Sequence, residues 1–381
     1  MRAFVFTDEA LARHAGRFVW LELNTDVPGN AEFLEKYPVE NWPTLFIIDA
    51  REEKALVRFA GSATVSQLEK LFEDGERAWR GVTQGPEGLL ARGDALYGEG
   101  KSAEAADVLA QALAEAPAEW SRRGRTLESL LVAQYGAHRY EDCARTALAE
   151  LSKVPHSASW ANAAALGLSC ALEVPDDADP SEVKALRTSL EARAREALSA
   201  GIAMPGDDRS GVYDVLVQAR LAAKDEPGTK ALAEQWLTFL EGEAARAPTP
   251  EARTVFDSHR ISAALVLGDL MRVVPAIEQS ERDLLNDYNP PARLANLYRR
   301  LGRLDDALAA STRALAKVRG GRRLRVLSDR ADIHLARGER DAAVRTLEEA
   351  LAYAKTLSEA QASQRQVAAL EKKLADVKGR Q

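Results

Sequence analysis

The chain has 381 residues, a formal net charge of -7 and only 6% aromatic residues against 46% hydrophobic and 29% charged. Such a length exceeds one ordinary compact core and suits two units or a long solenoid, and the hydrophobic share excludes global disorder. The diffuse acidic charge argues against nucleic acid as a partner, because phosphate binding needs a net basic face.

Residues 1–80 carry strand signals. Phe18 to Leu23 (FVWLEL) is a short apolar run ending in the turn sequence NTDVPG, which predicts a strand. Residues 30–37 predict a helix with Asn30 as its cap. Leu45 to Ile48 and Ala55 to Ala60 predict two further strands, closed by Asp49 and Gly61. Residues 64–78 show helical spacing, with Val65, Leu68, Leu71 and Phe72 on one face and Thr64 as the cap.

From residue 86 onward the strand signal is gone. Segment 86–117 predicts two helices flanking Gly100-Lys101, with Ala105, Leu109 and Ala112 on the second and Pro117 as its stop. The same grammar returns at 290–318, around Gly302, and at 324–355, around Gly338, while Gly268 lies in LVLGDLMRVV. Successive turn glycines are separated by 302−268 = 34 and 338−302 = 36 residues. Residues 121–155 fit with His138 at the turn and Cys143 at a small-residue position. Residues 157–200 and 210–246 predict further pairs of unsettled register, with an acidic, proline-bearing connection at 174–180 and another at 204–211. A Lys/Glu/Gln-rich helix near 358–378 is expected to cap the stack.

A helix-turn-helix recurrence of that length resembles the tetratricopeptide repeat family over about three quarters of the chain. The resemblance implies a mostly α fold, an α-α superhelix of helix pairs over 86–381, with at least six antiparallel pairs and no strand. It also implies protein or peptide partners held on the first helices, where Asn296, Arg299 and Arg300 are the groove candidates. Asp329 and Asp332 stand where that family's two-carboxylate clamp wants amide or basic groups, so that particular ligand is disfavoured.

The stretch LNTDVPGNAEFLEKYPVENWPTLFIIDA (23–50) resembles the thioredoxin family. The resemblance makes 1–80 a small, incomplete α/β unit and makes Trp42-Pro43-Thr44 the cis-proline step beside that family's redox dithiol. The CxxC itself is absent, as is the strand that lies centrally between those at 18–23 and 45–48. A late start codon, a trimmed chain and a degenerate domain all fit a unit that begins after its CxxC position. Without the central strand, direct pairing of 18–23 with 45–48, or poor order, is expected ahead of strand exchange. The unit is expected to be less stable than the helices.

No apolar run approaches the roughly 20 residues that span a bilayer, and residues 1–17 lack the apolar core of a secretory signal, so no membrane partner is expected. Cys143 and Cys170 form no CxxC, which argues against a disulfide scaffold or a zinc site and predicts buried thiols in a reducing cytoplasm. His14, His138, His156, His259 and His334 are scattered without metal-ligand spacing. Neither His14 nor His334 is assigned a role. No catalytic residue, metal or cofactor is expected, and the basic run from Lys317 to Arg325 is expected to be a solvated turn. Two functions compete. The first is a protein-interaction scaffold or adaptor with a non-catalytic thioredoxin-like unit. The second is a thiol-disulfide oxidoreductase whose CxxC lies upstream of Met1, with the repeats recruiting substrates.

Overall fold

The computed structural model describes residues 5–39, 42–82, 84–175, 180–359 and 361–379. Two strands pair near the N-terminus, β1 (Thr44–Asp49) and β2 (Lys54–Ala60). They run antiparallel, with Thr44 opposite Ala60 and Ile47 opposite Val57. A register shift after Ile47 puts Ile48 opposite Ala55, leaving Leu56 as the extra residue of a bulge. Helix α1 (Ala31–Lys36) precedes this hairpin and α2 (Val65–Trp79) follows it. Thr64 caps α2 as expected. Its hydroxyl accepts from Gln67 N at 3.1 Å while its own amide donates to Gln67 Oε1 at 2.9 Å, so two orphan donors are satisfied. Leu68, Leu71 and Phe72 of α2 pack on Val57, Phe59, Ala63 and Leu11. The Trp42-Pro43 peptide bond is cis.

The strand expected at 18–23 does not form, so its expected direct pairing with 45–48 does not form either. The sheet of the described residues has two strands, and β1 pairs with β2 alone. Compactness supplies the reason. The chain divides into one unit of residues 1–18 and 37–240 and a second of 19–36 and 241–381. Residues 19–36 thus leave the hairpin's unit and pack with the C-terminal helices. A strand-like sequence becomes a strand only where a partner's backbone groups are in reach.

In the first unit the helices pair in chain order: α3 (Gly85–Gly98) with α4 (Ser102–Glu115), α5 (Arg123–Gly136) with α6 (Tyr140–Leu151), and α7 (Ala158–Glu173) with α8 (Pro180–Ser199). Then come α9 (Gly206–Ala222) and α10 (Glu226–Arg246), and the division into units falls within α10. Gly100, His138 and Lys224 hold the left-handed conformation in three of the turns, at φ of 77°, 59° and 56°. His138 stands where its position in the repeat placed it. Lys224 settles the register of 210–246, which its side chain hides because lysine is not a usual turn residue. Most of the acidic connection expected at 174–180 lies outside the described residues.

The second unit contains α11 (Pro250–Thr254), α12 (Asp257–Leu267) and α13 (Val274–Asp283), then α14 (Asn289–Arg300) paired with α15 (Leu304–Lys317). It continues with α16 (Gly321–Ala336), α17 (Arg340–Ala354) and α18 (Gln364–Gly379). Leu324, Leu327 and Ala331 pack on Ala343, Leu347 and Ala350, and Leu370 and Val377 of α18 close this core. The small-large-small spacing read from the sequence is therefore the packing face: alanines let two helices approach, and leucines fill the space between pairs. No strand occurs between residues 86 and 378 among the described residues.

The cysteines correct an expectation. Cys143 on α6 and Cys170 on α7 are joined, with Sγ atoms 1.97 Å and Cα atoms 6.0 Å apart, so they are not free thiols. Both are fully buried. Helices α6 and α7 pack against each other, which brings together residues 27 positions apart. Cysteine spacing alone cannot show this, because the pairing depends on how two successive repeats stack.

Candidate peptide-binding face

Polar residues of the first helices meet different surroundings in the two units. In the first unit these side chains meet the α/β element. Arg122, at the N-cap of α5, and Arg125 within it reach Asp74 of α2, with Arg122 Nε 2.8 Å from Oδ1 and Arg125 Nε 3.1 Å from Oδ2. Arg125 also pairs with Asp94 of α3. Gln67 donates to Ser159 Oγ of α7 at 3.0 Å, and Ser62 donates to Asp207 of α9 at 2.7 Å. Arg58 of β2 donates to the Tyr97 carbonyl and lies 4.1 Å over the Tyr97 ring. Side chains of α3, α5, α7 and α9 are thus engaged by β2, α2 and the loop between them.

Burial shapes the ionisation of this seam. Loss of water pushes Asp94 up to about 7 against the opposing pull of Arg125. It pushes Glu128 up to about 7, although Asn162 donates to it at 2.8 Å. Asp208 rises to about 8, through burial first and then repulsion from Asp207 and Glu128. A carboxyl whose pKa is raised on folding binds its proton more tightly in the native state. Its contribution therefore falls as pH climbs from the ordinary carboxylate range toward the folded value. The protein is expected to melt at a lower temperature at about pH 9 than at about pH 6, and Asp208→Asn should reduce that difference. Calorimetry across the range checks it; equal melting temperatures would contradict it.

An open cavity of about 1230 Å³ adjoins the seam, between the first turns of α2 and the loops preceding α5, α7 and α9. Its basic groups are largely answered: Arg123 and Lys153 share Glu150, at 2.9 and 2.6 Å.

The second unit presents a more basic face. Helix α14 carries Arg293, Arg299 and Arg300 and no acid. Helix α16 sets four arginines against Asp329 and Asp332, and α18 has Arg365, Lys372, Lys373 and Lys378 against Glu371 and Asp376. The intervening second helices α15 and α17 have no such excess. Of the residues singled out from sequence, Asn296 and Arg299 come together: Arg299 Nη2 donates to Asn296 Oδ1 at 3.1 Å, and Asn296 Nδ2 lies 3.5 Å from Asp329 of α16. Arg300 is turned about 100° further round the helix, exposed and without a hydrogen bond or ion pair among the described residues. Burial raises Asp329, opposed chiefly by Arg325. Lys373 of α18 contacts Asp332 at 2.8 Å and donates to the Ser328 carbonyl at 2.9 Å. Trp42, Pro43 and Thr44 lie in the first unit, where the Pro43 carbonyl accepts from Gly61 N at 2.8 Å.

The basic run at 317–325 is not a solvated turn. Helix α16 begins at Gly321, so Arg322, Arg323 and Arg325 occupy its first turns, where the helix dipole disfavours cations. Arg322 pairs with Asp26 at 3.0 Å, and Arg323 pairs with Glu349 at 3.2 Å and donates to the Leu315 carbonyl at 2.8 Å. Arg293 was not singled out in the sequence, and Arg322 was read there as part of a turn because α16 begins at Gly321 rather than near residue 324.

Residues 288–356 match the family described as tetratricopeptide repeat. The match covers both α14/α15 and α16/α17. No curated protein matches the chain. Among solved structures, a tetratricopeptide repeat protein from Parabacteroides merdae is similar at 13% identity and a TM-score of 0.45, over 75% of this chain and 97% of that one. The TPR2AB domain of yeast Sti1, solved in a complex with pHSP90, is similar at 16% identity and a TM-score of 0.27, over 76% and 98%.

Proposed function

We propose that the protein is an interaction scaffold whose tetratricopeptide repeats hold an extended, acidic peptide against the first helices α14 and α16. The observation that carries this reading is the excess of arginine on those helices in a chain that is acidic as a whole. Asn296 and Arg299 would hold the backbone or a carboxylate of the peptide, and Arg300 would add a rim charge. Guanidinium groups suit that task because they donate in a planar fork. In the first unit the corresponding side chains already face the chain's own α/β element.

The N-terminal hairpin and α2 are read as a non-catalytic, thioredoxin-like unit. The sequence 23–50 and the order β1, β2, α2 support that reading, and the missing 18–23 strand weighs against it. A cytoplasmic location remains part of the proposal, though the Cys143–Cys170 bond withdraws the argument from free thiols. No helix of the described residues is long and apolar enough to cross a membrane.

Fluorescence anisotropy with a labelled Asp/Gly peptide tests the scaffold reading. Binding should weaken with salt, and Arg299→Ala with Arg300→Ala should weaken it roughly tenfold. Equal binding of an Asn/Gly peptide would contradict it.

A further inference from the structure

The segment Asn24–Val27 lies among the C-terminal helices, more than 290 residues earlier in the chain than its partners. Its fit there is specific. The Asp26 carboxylate meets Arg322 Nε at 3.0 Å, and Arg322 Nη1 donates to the Tyr288 hydroxyl at 3.2 Å, which holds the guanidinium in place. Gln361 Nε2 donates to the Val27 carbonyl at 3.1 Å. Gly320 has φ 60° and ψ −156°, a conformation open essentially to glycine. A side chain there would run into the Asp26 carbonyl oxygen. Tyr353 holds the same residue by accepting from Gly320 N at 3.0 Å. The site therefore contains a carboxylate clamp, a donor for the next carbonyl and a bare backbone that admits a peptide. These are the parts of a peptide-binding subsite.

We propose that this seat at the start of α16 is the acidic-residue subsite of the repeat face, and that the chain's own Asp26 occupies it as a stand-in for a partner's aspartate or glutamate. The inference rests on the scaffold reading above and adds where the ligand is anchored and what holds the anchor closed. Arg325 lies one turn along α16, where it favours the charged form of Asp329. The ion-pair partner of Arg293 is Asp257, at 3.7 Å. A partner peptide with several carboxylates can meet Arg322, Arg325 and Arg299 in succession, whereas the internal segment offers Arg322 one carboxylate. The internal segment competes by being tethered. The residues leading into it are turned to solvent, Val19 at 87% and Leu21 at 77% exposure.

A site occupied by its own chain binds an outside ligand with an affinity reduced by the fraction that is open. Asp26→Asn removes the internal carboxylate and should make the full chain bind the labelled Asp/Gly peptide roughly tenfold more tightly than the parent. Adding Arg322→Gln to that variant should abolish the gain. In the Asp26→Asn protein, a synthetic ELNTDVPGN peptide (residues 22–30) should displace the probe, and the same peptide with its aspartate replaced by asparagine should not. That competition does not depend on the internal segment staying folded. If Arg299→Ala weakens the parent's binding while Asp26→Asn leaves it unchanged and ELNTDVPGN fails to compete, the subsite is wrong and the scaffold reading stands. If neither the parent nor Asp26→Asn binds the probe, the scaffold reading itself falls and takes the subsite with it.

Discussion

Arg125→Met is expected to destabilise the first unit by about 3–5 kcal/mol at about pH 8, the usual cost of removing one partner from a buried charge cluster. The side chain of Arg125 is 6% exposed and stands between Asp74 and Asp94, themselves 5% and 1% exposed. Methionine fills much of the volume but leaves both carboxylates facing apolar surroundings with less compensation. Asp94 already ionises only near pH 7, so in the variant it should keep its proton to a higher pH still. The loss should therefore be smaller at about pH 6 than at about pH 8, and Asp94→Asn in the Arg125→Met background should recover part of it. Denaturant titration at the two pH values measures the effect. Hydrogen exchange localises it, since β2 and α2 should lose protection before α3 and α4 do. A variant within about 1 kcal/mol of the parent at the higher pH would mean that the salt-bridged seam does not hold the α/β element to the helices.

Breaking the Cys143–Cys170 bond is the second large perturbation. The bond closes a loop of 27 residues' separation, for which the chain-entropy account gives about 3–4 kcal/mol. Cys143→Ala with Cys170→Ala is the appropriate variant, because both sites are fully buried and alanine adds no unpaired hydroxyl. The double variant should unfold at lower denaturant than the parent. Dithiothreitol should lower the parent toward the variant and leave the variant where it is. A parent indifferent to the reductant would show that α6 and α7 hold together by packing alone.

The parts of the fold that local chemistry decides were legible. The turn glycines at 268, 302 and 338 mark the chain reversals because few other residues adopt that backbone conformation, and Thr64 announces α2 because its hydroxyl and Gln67 satisfy each other's groups. Asn296 and Arg299 could be placed by counting within a repeat. What stayed hidden depends on partners far along the chain. FVWLEL has the composition of a strand, yet nothing in it reveals that Val19 onward joins the C-terminal helices. Cys143 and Cys170 looked like small apolar fillers, which they are, but their bond follows from the stacking of two repeats. Arg322 read as part of a turn because the start of α16 was placed a few residues late. The move reverses the helix-dipole argument and exposes the need for Asp26.

The route of residues 19–36 has a consequence for biosynthesis. Asp26 leaves the ribosome 296 residues before Arg322 does. At about 5–20 residues per second, that gap is roughly 15–60 s. Throughout it, Asp26 belongs to a nascent polypeptide whose partner Arg322 has yet to be translated. The second unit therefore cannot be completed until translation has passed the helices that hold Asp26.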